Sequence, residues 1–172
     1  MTIPFLHHGS AARAARTAAT ACLGVLLLTS VADAAQANPF SVLAGNWQGS
    51  GTLEPMEGSK ERVICRVNYS VSDSSINQSI NCAGTDYRID ATGNFSYAEG
   101  KLSGHWSEAN YGASGSATGT VTGSTVFVRI NGDKFTGRMK FNLSGSSHSV
   151  AIEQFNAGNG RYSTVADVSL RR

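Results

Sequence analysis

The amino-acid sequence predicts an all-β protein, an antiparallel up-and-down β-barrel of eight to ten strands. Three observations carry this reading. Apolar and polar residues alternate with a period of two through most of residues 43–172, the spacing that puts every second side chain on one face of a strand. Gly, Ser, Thr and Asn crowd the intervening segments while only 15% of residues are charged, a composition suited to strands joined by tight turns. Two cysteines also fall opposite each other on one predicted hairpin. A barrel accounts for these strands better than a sandwich, because closure removes exposed edges and glycines let strands bend.

The chain begins with a segment that carries Arg13 and Arg16 but no acidic residue, followed by an apolar run over 18–28 and then Ala32-Asp33-Ala34. Small residues at 32 and 34 suit signal peptidase, so residues 1–34 are expected to be a signal peptide, 35–42 an N-terminal extension and 43–172 the barrel domain. The apolar run is shorter than the ~20 residues needed to cross a bilayer, so no membrane span is expected. Cys22 lies inside the leader and leaves with it. The expected location is periplasmic or secreted.

Cys65 and Cys82 remain, in a chain bound for an oxidising compartment. Val63, Cys65, Val67, Tyr69 and Val71 share one face of a first run, and Ile76, Ile80 and Cys82 share one face of a second. A turn centred on Asp73 and Ser74 pairs Val71 with Ile76, Val67 with Ile80 and Cys65 with Cys82. The two sulfurs then face each other, and a disulfide is predicted.

Further along, Gly45, Trp47, Gly49, Gly51 and Leu53 share a face in the first strand, where glycines permit curvature or close approach of another backbone. Tyr87, Ile89 and Ala91 open the strand after the disulfide hairpin, and a tight hairpin around Glu99-Gly100 pairs Tyr97 with Leu102. Thr122-Gly123 marks the next turn, and Asn131-Gly132 is the strongest hairpin signal in the chain. Phe135, Met139, Phe141 and Leu143 then alternate with polar residues, and two last strands run roughly over 147–155 and 162–170.

A formal charge of +2 with scattered Arg and Lys excludes a nucleic-acid binder, which displays a basic stripe. An outer-membrane barrel would need an apolar exterior, whereas the residues alternating with the core set are Arg, Lys, Asn, Ser, Thr and Glu. No Ser lies in a G-x-S-x-G elbow, and neither His105 nor His148 has a second ligand at zinc spacing. Both histidines are expected to be solvated, as is the cluster Glu54, Glu57 and Glu61. The stretch 112–119 lacks the Lys and helix of a phosphate-cradling loop and reads as a strand. No metal, cofactor or catalytic residue is expected.

The opening Leu43-x-Gly45-x-Trp47 resembles the G-x-W signature of the calycin superfamily, which includes lipocalins and avidins. The resemblance implies that Trp47 plugs the closed end of the barrel beneath a basic residue from late in the chain, here Arg171 or Arg172. The longer string through Gly49 and Gly51 is similar to the start of nitrobindin-type haem barrels, but their haem-ligating histidine lies near the C-terminus and no His follows His148 here, so haem is not implied. A third resemblance is to small periplasmic barrels that inhibit secreted metalloproteases through an N-terminal trunk, a part that residues 35–40 would play.

A barrel this small either fills its interior or holds one small ligand. The candidate lining is Trp47, Tyr69, Tyr87, Tyr97, Trp106, Met139 and Phe141, with Tyr and Trp offering polar handles. The function expected is therefore non-enzymatic binding of a small apolar ligand in the barrel or of a protein partner at its rim. The alternatives are protease inhibition through the N-terminal segment and a structural role in the cell envelope.

Overall fold

A computed structural model describes residues 38–172; the leader expected over 1–34 and residues 35–37 of the extension lie outside the described residues. A 3-10 turn, Pro39–Leu43, leads into ten strands: β1 Gly45–Leu53, β2 Glu61–Val71, β3 Ser75–Ala83, β4 Arg88–Ala98, β5 Lys101–Glu108, β6 Ala113–Thr122, β7 Thr125–Gly132, β8 Thr136–Ser144, β9 Ser147–Asn156 and β10 Arg161–Arg171. Each strand pairs antiparallel with the next, and β1 pairs with β10, so the sheet closes into a barrel. The fold is the all-β barrel the alternation predicts, at the upper end of the expected strand count.

Closure depends on β1. A side chain at Gly49 or Gly51 would run into the β10 carbonyls of Ser169 and Asp167. Only glycine lets the last strand pair this closely with the first. On β10 the register shifts between Thr164 and Ala166, and this bulge turns both Val165 and Ala166 into the interior.

The β2–β3 hairpin has the predicted register, Val71 opposite Ile76, Val67 opposite Ile80 and Cys65 opposite Cys82. The disulfide forms between the last pair, whose α-carbons are 4.1 Å apart. Tyr97 likewise opposes Leu102 across the Glu99-Gly100 turn, where both turn residues have positive φ. Asn131-Gly132 is a correction. Both residues end β7, and the turn falls at Asp133-Lys134, whose Asp133 side chain accepts the N–H groups of Ser114 and Lys134 at 2.9 Å each. Gly132 meets a packing constraint instead: a β-carbon there would lie 2.6 Å from Trp106 Cζ2. Glu61, expected on a hydrated surface, also has a structural part there. Its carboxylate accepts the N–H groups of Thr85, Asp86 and Tyr87 at 2.9–3.1 Å and so shapes the β3–β4 turn. Desolvation pushes the Glu61 carboxyl up, but these three donors outweigh it and hold it below its ordinary value.

One end of the barrel is sealed. The Trp47 indole N–H donates to the Leu43 carbonyl at 2.6 Å, and the Arg172 guanidinium covers the ring at 5.0 Å while donating to the Ala44 carbonyl. Of the two basic residues the calycin resemblance offers for this part, Arg172 takes it. Asn38 donates to the Ser72 carbonyl at 2.7 Å, and Phe40 packs edge-on against Tyr97 inside the plug. His148, expected to be solvated, is 3% exposed among Trp47, Tyr69 and Phe141. Its place follows from the period-two face it shares with Val150 and Ile152, which outweighs the polar character of the serines around it. His148 Nε2 lies 3.3 Å from the Tyr69 hydroxyl, and burial pushes its pKa down to about 4. The same burial raises the Tyr69 hydroxyl well above its usual range.

Three outcomes follow. Gly49→Val should lower stability by more than about 2 kcal/mol in urea denaturation, because the added side chain meets backbone that cannot yield. Replacing Cys65 and Cys82 together by Ala should cost about 3 kcal/mol in the chain-entropy account, read in the same assay. For His148 the folded pKa lies below the unfolded one, so its contribution is complete above about pH 6.5 and is lost as pH falls toward 4. Stability should drop by ~2 kcal/mol between pH 7.5 and pH 5, and His148→Phe should flatten that limb while leaving the carboxylate limb below pH 4.5 in place.

Candidate functional site

The alternation that builds the wall also fixes which side chains face inward, and their sizes divide the interior in two. Large residues gather at the sealed end, where Phe40, Leu43, Trp47, Tyr69, Ile76, Val126 and Phe141 are all buried. Toward the other end several inward positions are small, Ala113 and Gly115 on β6 and Ala91 and Gly93 on β4. These side chains cannot reach across the barrel, and a cavity of about 530 Å³ remains, open toward the β1–β2, β3–β4, β5–β6 and β7–β8 loops.

Its wall is almost wholly apolar, with Val63, Ile80, Ile89, Ile130, Ile152 and Val168 at mid-height. The Cys65–Cys82 disulfide belongs to this wall, since both residues lie on the inner face. Tyr69 forms part of the floor, its hydroxyl directed to His148. Trp106 stands near the mouth, edge-to-face with Phe135 at 6.3 Å, and its Nε1 has no hydrogen-bond partner. Tyr87 reaches across the mouth to Gly58.

The polar groups of the lining cluster at the rim. Glu108 is 8% exposed, and its carboxylate accepts the N–H groups of Asp90 at 2.8 Å and Tyr111 at 2.7 Å. Lys134 donates to the Tyr111 carbonyl at 2.8 Å. The β5–β6 loop is thus gripped at both its N–H and its C=O, and each charged rim group is engaged in holding it.

Of the seven aromatic and sulfur-bearing residues singled out in the sequence, the structure brings Tyr69, Tyr87 and Trp106 to the cavity. Trp47, Tyr97, Met139 and Phe141 lie in the packed half and do not line it. Glu108, Lys134 and Phe135 are lining residues that the sequence reading missed. For Glu108 a signal existed, because it lies two residues beyond Trp106 on the same face; Lys134 sits in a turn, where alternation carries no information.

The interior offers a haem no axial histidine. Among the described residues, His148 Nε2 faces Tyr69 within the plug and His105 faces outward. No group of three or more metal-ligating side chains occurs among the described residues, and no helix among them is long and apolar enough to cross a membrane.

No family model and no curated protein matches the chain. Solved structures do. The chain is similar to Rv2717c from M. tuberculosis, with a TM-score of 0.65 at 15% identity over 79% of this chain and 98% of that one. It is also similar to the S-type phycobiliprotein lyase CPES from Guillardia theta, with a TM-score of 0.58 at 12% identity over 77% of this chain and 90% of that one. At such identities the likeness speaks for the fold, and the fold is that of a ten-stranded, calycin-like antiparallel barrel.

Proposed function

We propose that this chain is an exported binding protein that holds one small apolar molecule in the open half of the barrel. The observation that carries the reading is the cavity itself: about 530 Å³, walled by aliphatic side chains, closed at the floor and open at the mouth. That volume lies within the range of small-molecule sites, which are mostly apolar with a few placed polar groups. The charged groups here have structural partners, and the unpartnered donor of the lining is the Trp106 Nε1–H. Both Glu108 oxygens accept backbone N–H groups, and Lys134 is bonded to a carbonyl, so binding without chemistry fits the lining better than catalysis does. Export is inferred from the leader-like residues 1–34 and from the disulfide, which persists in an oxidising compartment. Trp106, Tyr87 and Tyr69 are the residues proposed to contact the ligand. Inhibition through an N-terminal trunk gains no support, because Asn38 and Phe40 are tied into the plug.

The test uses the neutral apolar fluorophore N-phenyl-1-naphthylamine and native mass spectrometry. One equivalent should bind saturably and quench tryptophan emission, and Trp106→Phe should remove most of the quenching, since Trp47 lies in the plug away from the cavity. Ala113→Phe, which fills the cavity from β6, should weaken binding by about tenfold or more. Absence of saturable binding, or binding indifferent to Ala113→Phe in a folded variant, would refute the assignment.

A further inference from the structure

At the sealed end, on the outer wall and remote from the cavity mouth, a second depression of about 490 Å³ lies across β1, β2 and β3 beside the end of β10. Strand register explains how it forms. Gln48 opposes Arg171 on one side and Arg66 on the other, and Arg66 opposes Asn81, so one row across four strands reads Arg171, Gln48, Arg66, Asn81. With neighbouring strands ~4.8 Å apart, the two arginines stand about 10 Å apart at their α-carbons, flanking the shorter Gln48. Asn68, one row away on β2, adds another amide to the lining. Long cationic walls over a short neutral floor make a groove.

The Arg66 and Arg171 side chains have no acidic side chain to answer them. No side-chain carboxylate lines the depression, and the closest one along the row is Asp90, one strand beyond Asn81. Among the described residues the ion pairs are Lys60 with Glu54 and Arg138 with Glu153, neither of them here. Arg138 shows how an outer-wall arginine is otherwise satisfied, with a carboxylate beside it and the Tyr162 ring beneath it. Arg172 is likewise occupied, stacked on Trp47 and bonded to Ala44. Arg66 and Arg171 have no such partner.

We propose that this groove binds a phosphate group, held between the Arg66 and Arg171 guanidiniums with the side-chain amides of Gln48, Asn68 and Asn81 as further donors. A guanidinium presents a planar fork of N–H donors that matches two oxygens of a phosphate, and a pair of forks facing one site serves an anion with three or more acceptor oxygens. The amides complete the shell without adding charge. The site lies on the outer face of the wall whose inner face lines the apolar cavity, with Val67 of β2 bordering both.

Amide-resolved NMR titration with inorganic phosphate at constant ionic strength, balanced with chloride, tests the proposal. Saturable shifts should centre on Gln48, Arg66, Asn68, Asn81 and Arg171, and Arg66→Gln with Arg171→Gln should weaken binding by about tenfold or more while circular dichroism stays unchanged. Shifts that never saturate, that chloride reproduces or that survive the double substitution overturn it. Once phosphate binding is seen, sedimentation with phosphatidylglycerol vesicles against phosphatidylcholine vesicles separates the sources. Co-sedimentation lost in the double variant assigns the site to a lipid headgroup, and its absence assigns it to soluble phosphate compounds.

Discussion

Everything in this molecule hangs on the seam between β1 and β10. Two inward glycines, Gly49 and Gly51, let the last strand lie against the first where any side chain would meet a carbonyl oxygen. Once the seam forms, each strand has two neighbours and the barrel has no edge to protect. Closure also gives the period-two alternation its meaning, because only a closed sheet has one shared interior. The plug, the cavity and the arginine row on the outer wall are consequences of which residues then fall on which side.

Within that interior, size decides the rest. Packing like that of a protein core is reached at the sealed end, where Trp47 carries Arg172 above it and His148 beside it, and Tyr69 and Phe141 pack on His148 in turn. Toward the mouth, β6 presents Ala113 and Gly115 and β4 presents Ala91 and Gly93, and the same wall encloses space. The two halves therefore divide the work. The packed half supplies stability, and it buries a titratable ring, His148. The open half is relieved of that duty and lined by surfaces that water wets poorly.

Much of this was legible in the residues, and the limits have physical causes. The β2–β3 hairpin was readable to the residue because a polar four-residue turn lies between two clean alternations, and the cysteines then pair by arithmetic. The partnership of Trp47 with a late arginine came from resemblance rather than periodicity. Alternation reports whether a side chain points inward, but not how far along the barrel it sits, so Trp47, Tyr97, Met139 and Phe141 were grouped with Tyr69, Tyr87 and Trp106 although the plug separates them. His148 and Glu108 share the failing that polar identity outweighed parity. Asn131-Gly132 failed for another reason: a glycine required by a neighbouring indole looks, in sequence, like one required by a turn. The arginine row depends on register between β10 and β1, at the two ends of the domain, and no local pattern reports that.

The disulfide lies on the inner face, and Cys65 is 1% exposed. A dithiol-exchange enzyme can dock on these sulfurs while β2 and β3 are a free hairpin, but once eight further strands surround them only a molecule small enough to enter the cavity reaches Cys82. Cross-linking by an enzyme then precedes closure, and a chain that shuts with both thiols reduced is left to small oxidants that enter through the mouth. The inward placement of the bridge thus sets an order of events for enzymatic cross-linking: the hairpin meets its oxidant first, and the seam is sewn afterwards.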